Sequence, residues 1–179
     1  MPNIVRGAFF EGGLRDSDSW AAVSDRSELE ALEPRMPVIV PLAFWRANED
    51  LLNAREGALG LLLRPDDDVF ELREKTARFA LISIQFPTFT DGRGFSAARL
   101  LRERLGFRGE LRAVGDILPD QVFYLLRCGF DAFAPHDEAH IENMLRAYTT
   151  FREAYQSSVE RPMPLFRRRA QALSDLERT

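Results

Sequence analysis

From Met36 to Tyr155 the chain alternates short apolar runs with longer amphipathic ones, and this alternation limits the fold more than any other feature. MPVIVPLAFW, GALGLLLRP, ALISIQF, GELRAVGD and FDAFAP read as five strands. The first three are apolar on successive positions, as in strands covered on both faces. Between and after them, Glu49–Glu56, Val69–Phe79, Ala97–Phe107, Ile117–Gly129 and Asp137–Tyr155 carry helical patterns. Asp66 to Asp68 and Ser96 stand where helix caps belong, and Gly129 where a helix should stop.

Strand–helix units repeated in this way imply parallel strands joined by right-handed crossovers. The fold class expected is α/β, with about five parallel strands alternating with helices in a three-layer open sheet. A partial barrel is the alternative, since about five strands are too few for an eight-stranded one. Ahead of this region, Ile4–Val23 reads as a hairpin with a glycine turn, and Ser27 as a cap for the run ELEAL. Three segments are expected: an amino-terminal hairpin and linker over 1–36, an α/β domain over 37–155, and an arginine-rich tail over 156–179. The tail holds RPMPLFRRR, which suggests an extended docking peptide.

Charge and cysteine content narrow the function classes. The 179 residues carry a formal charge of −4, so nucleic acid and anionic membranes are poor partners. No apolar run reaches the ~18 residues of a membrane span, and the start MPNIVRGAFFEGG lacks a signal-peptide layout. With Cys128 as the single cysteine there is no internal disulfide and no Cys-x-x-Cys pair. A soluble cytoplasmic protein is expected. Lys75 is the only lysine and lies in a helical surface pattern, so an anion would be held by arginine forks or backbone N–H groups.

In either closure, the working end of the sheet is the carboxyl edge of its strands. That edge selects Trp45 and Arg46, Arg64 and Asp66, the loop Thr88 to Ser96, Asp116, and Pro135 with His136. The loop is the most distinctive stretch. Thr90, Asp91, Arg93 and Ser96 are polar, Gly92 and Gly94 free the backbone, and a helix follows. Exposed amides at a helix start, with the Arg93 fork, suit a small oxyanion such as phosphate, sulfate or sulfite. The competing reading is a tight turn in which Asp91 or Ser96 caps the helix. Gly92-Arg93-Gly94-Phe95-Ser96-Ala97 also fits the loose dinucleotide pattern, with Asp116 about 20 residues on. Against it, Pro87 to Asp91 separate the strand from the first glycine.

Arg112 interrupts an apolar strand and must meet a carboxylate or an anion. Asp91, Asp116 and Asp131 are its candidate partners, in a structural ion pair or at a substrate. Thr90, Asp91, Gly92, Arg93, Gly94, Ser96, Arg112 and Asp116 therefore form the candidate anion- or ligand-binding set. His136 and His140 stand four apart but lack the glutamate placement of a zinc protease motif, so no metal site is expected. Cys128 reads as a small buried hydrophobe.

The run FPTFTDGRGFSAARLLRERLGFRGELRAVGDILPDQVFYLLRCGFDAF resembles the signature of the bacterial domain of unknown function 934 family. The resemblance extends to VPLAFW, LGLLLRPDDD and RPMPLFRRR. It implies a place in sulfite reduction, within sulfate assimilation and cysteine biosynthesis, because such proteins are typically encoded beside the sulfite reductase haemoprotein. The family carries an oxidoreductase label that rests on gene neighbourhood. The resemblance brings no active-site residues and no cofactor. It suggests an accessory protein with the haemoprotein as partner, or alternatively an oxyanion-binding enzyme or NAD(P)-dependent oxidoreductase using Thr88 to Ser96. The apolar surface would also suit a homodimer.

Overall fold

A computed structural model describes residues 9–10, 13–14, 19–150, 154–159 and 161–176. The main sheet has six parallel strands: β3 (Ala21–Ala22), β4 (Val38–Pro41), β5 (Leu59–Leu63), β6 (Leu81–Phe86), β7 (Glu110–Gly115) and β8 (Ala132–Pro135). Their order in space is their order in sequence. An order that never reverses sends right-handed crossovers to one face only. The sheet therefore curls into a half-barrel, the partial-barrel alternative, instead of carrying helices on both faces. The sixth strand is β3, two residues long and too short to stand out in sequence. Before it, β1 (Phe9–Phe10) and β2 (Gly13–Leu14) pair antiparallel as the expected hairpin, whose Glu11–Gly12 turn lies outside the described residues.

The helices are α1 (Arg26–Glu30), α2 (Leu42–Ala47), α3 (Glu49–Asn53), α4 (Arg93–Glu103), α5 (Val122–Cys128), α6 (Ile141–Thr150) and α7 (Leu165–Leu176). Under them, Val40, Leu61, Ile82, Ile84, Leu111, Ala113 and Phe133 build one core with Ala98, Leu101 and Leu125. Strand alternation sends the intervening residues to the other face. There Leu62, Ser83, Arg112 and Ala132 share one row. The ring of Trp20 lies over Gly60 on this side: a Cβ at Gly60 would sit 3.1 Å from it.

Several local expectations change. LAFW is helical, not strand, because Pro41 has no N–H to continue the ladder and instead starts α2. Val69–Phe79 is not an α-helix but two 3₁₀ turns, Val69–Leu72 and Thr76–Arg78. Between them Glu74 takes a φ of 66°, which no right-handed helix tolerates. α1 is capped by Asp25, whose carboxylate accepts the Glu28 amide, not by Ser27. The helix expected over Asp137–Tyr155 is a 3₁₀ turn (Glu138–His140) leading into α6, and residues 151–153 lie outside the described set. Gly129 does end α5, at a φ of 102°.

Candidate functional site

The loop between β6 and α4 emerges at the carboxyl rim of the sheet and is exposed over Thr88, Phe89 and Thr90. Asp116, at the end of the neighbouring β7, meets it directly: its Oδ2 accepts the Phe89 amide at 2.9 Å. The sequence expectation of a rim loop beside Asp116 is thus met in its geometry. The loop's polar groups, however, turn toward each other. The Asp91 amide donates to the Thr88 carbonyl at 3.0 Å, and the Thr88 and Thr90 hydroxyls lie 3.0 Å apart. The Arg93 amide donates to Asp91 Oδ1 at 3.1 Å, so Asp91 closes a side-chain turn just ahead of α4, whose N-cap residue is Gly92.

Arg93 reaches back to Asp91, with Nη2 2.7 Å from Oδ2, and across to Asp66 in the loop after β5. Its bonds to Arg93 hold the Asp91 carboxyl below the usual carboxylate range. The same contacts raise the Arg93 guanidinium, Asp91 first and Asp66 second. The fork expected to receive an anion already holds two carboxylates. Ser96 is exposed on α4, three residues past the helix start, and caps nothing.

The two glycines have separate reasons. A Cβ at Gly92 would meet nothing within 4 Å, and its φ of −80° needs no glycine. A Cβ at Gly94 would sit 2.6 Å from the Phe86 ring, so Gly94 lets α4 close on β6. A dinucleotide turn also needs a crevice where the strand order reverses. This sheet has no reversal, and Asp116 is engaged with the loop backbone.

Arg112 does not join the rim. It lies four residues before Asp116, about 13 Å back along β7, and is 1% exposed. Its Nε and Nη2 both bind Glu110 Oε1, at 2.8 and 2.7 Å. The expected partners were Asp91, Asp116 and Asp131. Glu110, two residues away on the same strand face, was legible from alternation alone. Its row neighbour Ser83 is equally buried, and among the described residues its hydroxyl has no hydrogen-bond partner.

Sequence reasoning missed Gln121 and the part played by Asp66. Gln121 Oε1 accepts the Leu118 amide at 3.0 Å while Nε2 donates to the Phe89 carbonyl at 2.9 Å, tying the loop after β7 to the loop after β6. Its signal was a polar residue ahead of an apolar helix. Of the other rim candidates, Trp45 is buried edge-on to Phe79, and Arg46 pairs with Glu71 at 2.6 Å. The Arg64 amide donates to Asp67 Oδ2 at 2.7 Å. His136 lies in the bend after β8, and its amide donates to the Gly115 carbonyl at 2.7 Å. It shares no helix with His140. Among the described residues, no group of three or more His, Cys, Asp or Glu could hold a metal ion, and no helix is long and apolar enough to cross a membrane. Burial pushes the Cys128 thiol up, away from the thiolate form a nucleophile needs.

A profile of the family described as bacterial protein of unknown function (DUF934) matches residues 60–166, more than half of the chain. The chain belongs to this family. The DUF934 match begins inside β5, spans the rim loop, Asp116 and Arg112, and ends at the first turn of α7. Comparisons with curated proteins and with solved structures returned no match.

Proposed function

We propose that this DUF934 protein is an accessory protein of assimilatory sulfite reduction, acting in sulfate assimilation and cysteine biosynthesis by binding the sulfite reductase haemoprotein. The pathway follows from the family resemblance, whose members are typically encoded beside that haemoprotein. The binding role is supported by one observation: the rim where a half-barrel would present reactive groups is closed on itself. Arg93 is held by Asp91 and Asp66, and Asp116 by the Phe89 amide. A small oxyanion arriving at this rim would meet a guanidinium already paired with two carboxylates and a third carboxylate, Asp116, bonded to the same loop, which repels it more than it attracts it. The same rim displays the Phe89 and Tyr124 rings to solvent, a surface suited to contact with another protein.

Affinity capture tests the reading. The tagged chain should retain the haemoprotein from an extract in which both are expressed, and an empty eluate would refute the partnership. A deletion strain places the step. It should grow on sulfide and fail on sulfite, whereas growth on sulfite would remove the chain from this reaction.

A further inference from the structure

Eight large apolar side chains are exposed among the described residues, and four of them fall between Tyr155 and Leu173. Tyr155 is 71% exposed, Phe166 56% and Leu173 63%, with Met163 beside them in sequence. This end is also basic. Residues 154–174 hold four arginines and one glutamate, while the chain as a whole carries −4.

The tail is not the extended peptide its prolines suggested. After Pro164, α7 runs for 12 residues with no glycine or proline. Its first turn is anchored: the Leu165 amide donates to the Tyr155 carbonyl at 3.2 Å, and Arg168 Nη2 to the Ala154 carbonyl at 3.4 Å. Phe166, Ala170 and Leu173 are spaced i, i+4, i+7, so they stack on one helix face, and all three are exposed. Arg167 and Arg169 are exposed on either side of that stripe. An exposed apolar stripe is a poor arrangement in water unless something covers it.

We infer that α7 is the arm by which the chain docks, laying Phe166, Ala170 and Leu173 into an apolar groove of its partner whose walls are acidic. The inference rests on the partner reading above and names the element that carries it. Charge selects the occupant: arginines flanking the stripe complement carboxylates flanking a groove, and the opposite signs steer and orient the encounter. The formal charge of −4 on the whole chain disfavours an anionic bilayer surface as the occupant.

The test is affinity of the full chain for the purified haemoprotein, for wild type, for the double variant Phe166→Ala/Leu173→Ala, and for Arg167→Glu/Arg169→Glu. All four positions are exposed, so urea midpoints should match and verify folding. Each double variant should weaken binding about tenfold or more. Added salt should weaken the wild type and leave the glutamate variant less affected. Phe166→Leu should bind like wild type. Equal binding by wild type and both double variants would overturn the arm and leave the partnership standing. A wild-type chain that fails to bind would overturn both. Vesicles of anionic lipid and sedimentation of the chain alone identify other occupants. Loss of vesicle binding or of self-association in the variants, with haemoprotein binding intact, would also overturn the proposal.

Discussion

Arg102 and Arg93 belong to the same helix, α4, yet they do opposite work at its two ends. Arg102 points to the amino edge of the sheet and is 9% exposed. Its Nε donates to the Gly129 carbonyl and its Nη1 to the carbonyls of Phe107 and Gly109, each at 2.9 Å. Its Nη2 binds Asp131, whose Oδ2 also accepts the Leu111 amide at 2.9 Å. One planar fork thus satisfies chain segments before β7 and before β8. Arg93 stands at the carboxyl rim, 54% exposed, and holds carboxylates instead of carbonyls. Buried carbonyls have no water to fall back on, whereas a half-exposed guanidinium and the solvated Asp66 do. The floor arginine is therefore a structural staple, and the rim arginine sets loop geometry at little energetic consequence.

Breaking the staple should give the largest effect. Arg102→Met keeps the apolar stem but leaves three carbonyls without their donor, while Asp131 keeps the Leu111 amide. Loss of about 3–5 kcal/mol is expected, from the penalty for orphaned buried polar groups. Urea denaturation measures it. A midpoint within error of wild type would mean that water replaces the guanidinium, and the contrast between floor and rim would collapse.

The rim has its own rigid element, and it is backbone. Gly115 takes a φ of 107°, and a Cβ there would lie 2.3 Å from the Phe86 carbonyl oxygen. Its own carbonyl accepts the amides of Ile117 at 3.0 Å and His136 at 2.7 Å. Gly115→Ala should cost about 2–3 kcal/mol through backbone strain and displacement of β6 from β7. The effect falls between those of the two arginines. An unchanged midpoint would show that the rim relaxes freely and is not set by this glycine.

How much of this was legible in the sequence differs between the two ends. The strands at the centre were readable because burial on both faces leaves unbroken apolar runs, as in LISIQF and GLLL. The strand order was not, since local pattern says nothing about whether successive crossovers keep one direction. Val69–Phe79 misled because its spacing is helical while Glu74 breaks the helix through a backbone angle that composition does not reveal. The rim loop was placed correctly, but its chemistry depended on partners distant in sequence. Asp66 lies 27 residues from Arg93, and Gln121 lies 32 from Phe89. The arginine that holds the floor passed unnoticed in the sequence, because within LLRERLGF it reads as one more solvated helix charge.

The smallest effect sharpens the comparison most. Arg93→Ala should lower the urea midpoint at neutral pH only slightly, because the Arg93 guanidinium and its partner Asp66 are solvated. Its signature is pH. Asp91 titrates lower in the folded protein than in the unfolded chain, chiefly through its side-chain bond to Arg93. A depressed carboxyl contributes stability above its unfolded value, and that contribution is lost as pH falls through the folded one. Wild type should therefore show a shallow acid loss below about pH 4 that is smaller in Arg93→Ala, where only the backbone amide of residue 93 still bonds Asp91, the two curves converging at the lowest pH. Hydrogen exchange should report the loop itself, with faster exchange at the Asp91 amide in the variant and no change at Leu111 on the floor. Equal acid limbs together with unchanged exchange at Asp91 would show that the loop holds its shape without Arg93, and that the two arginines differ in burial but not in kind.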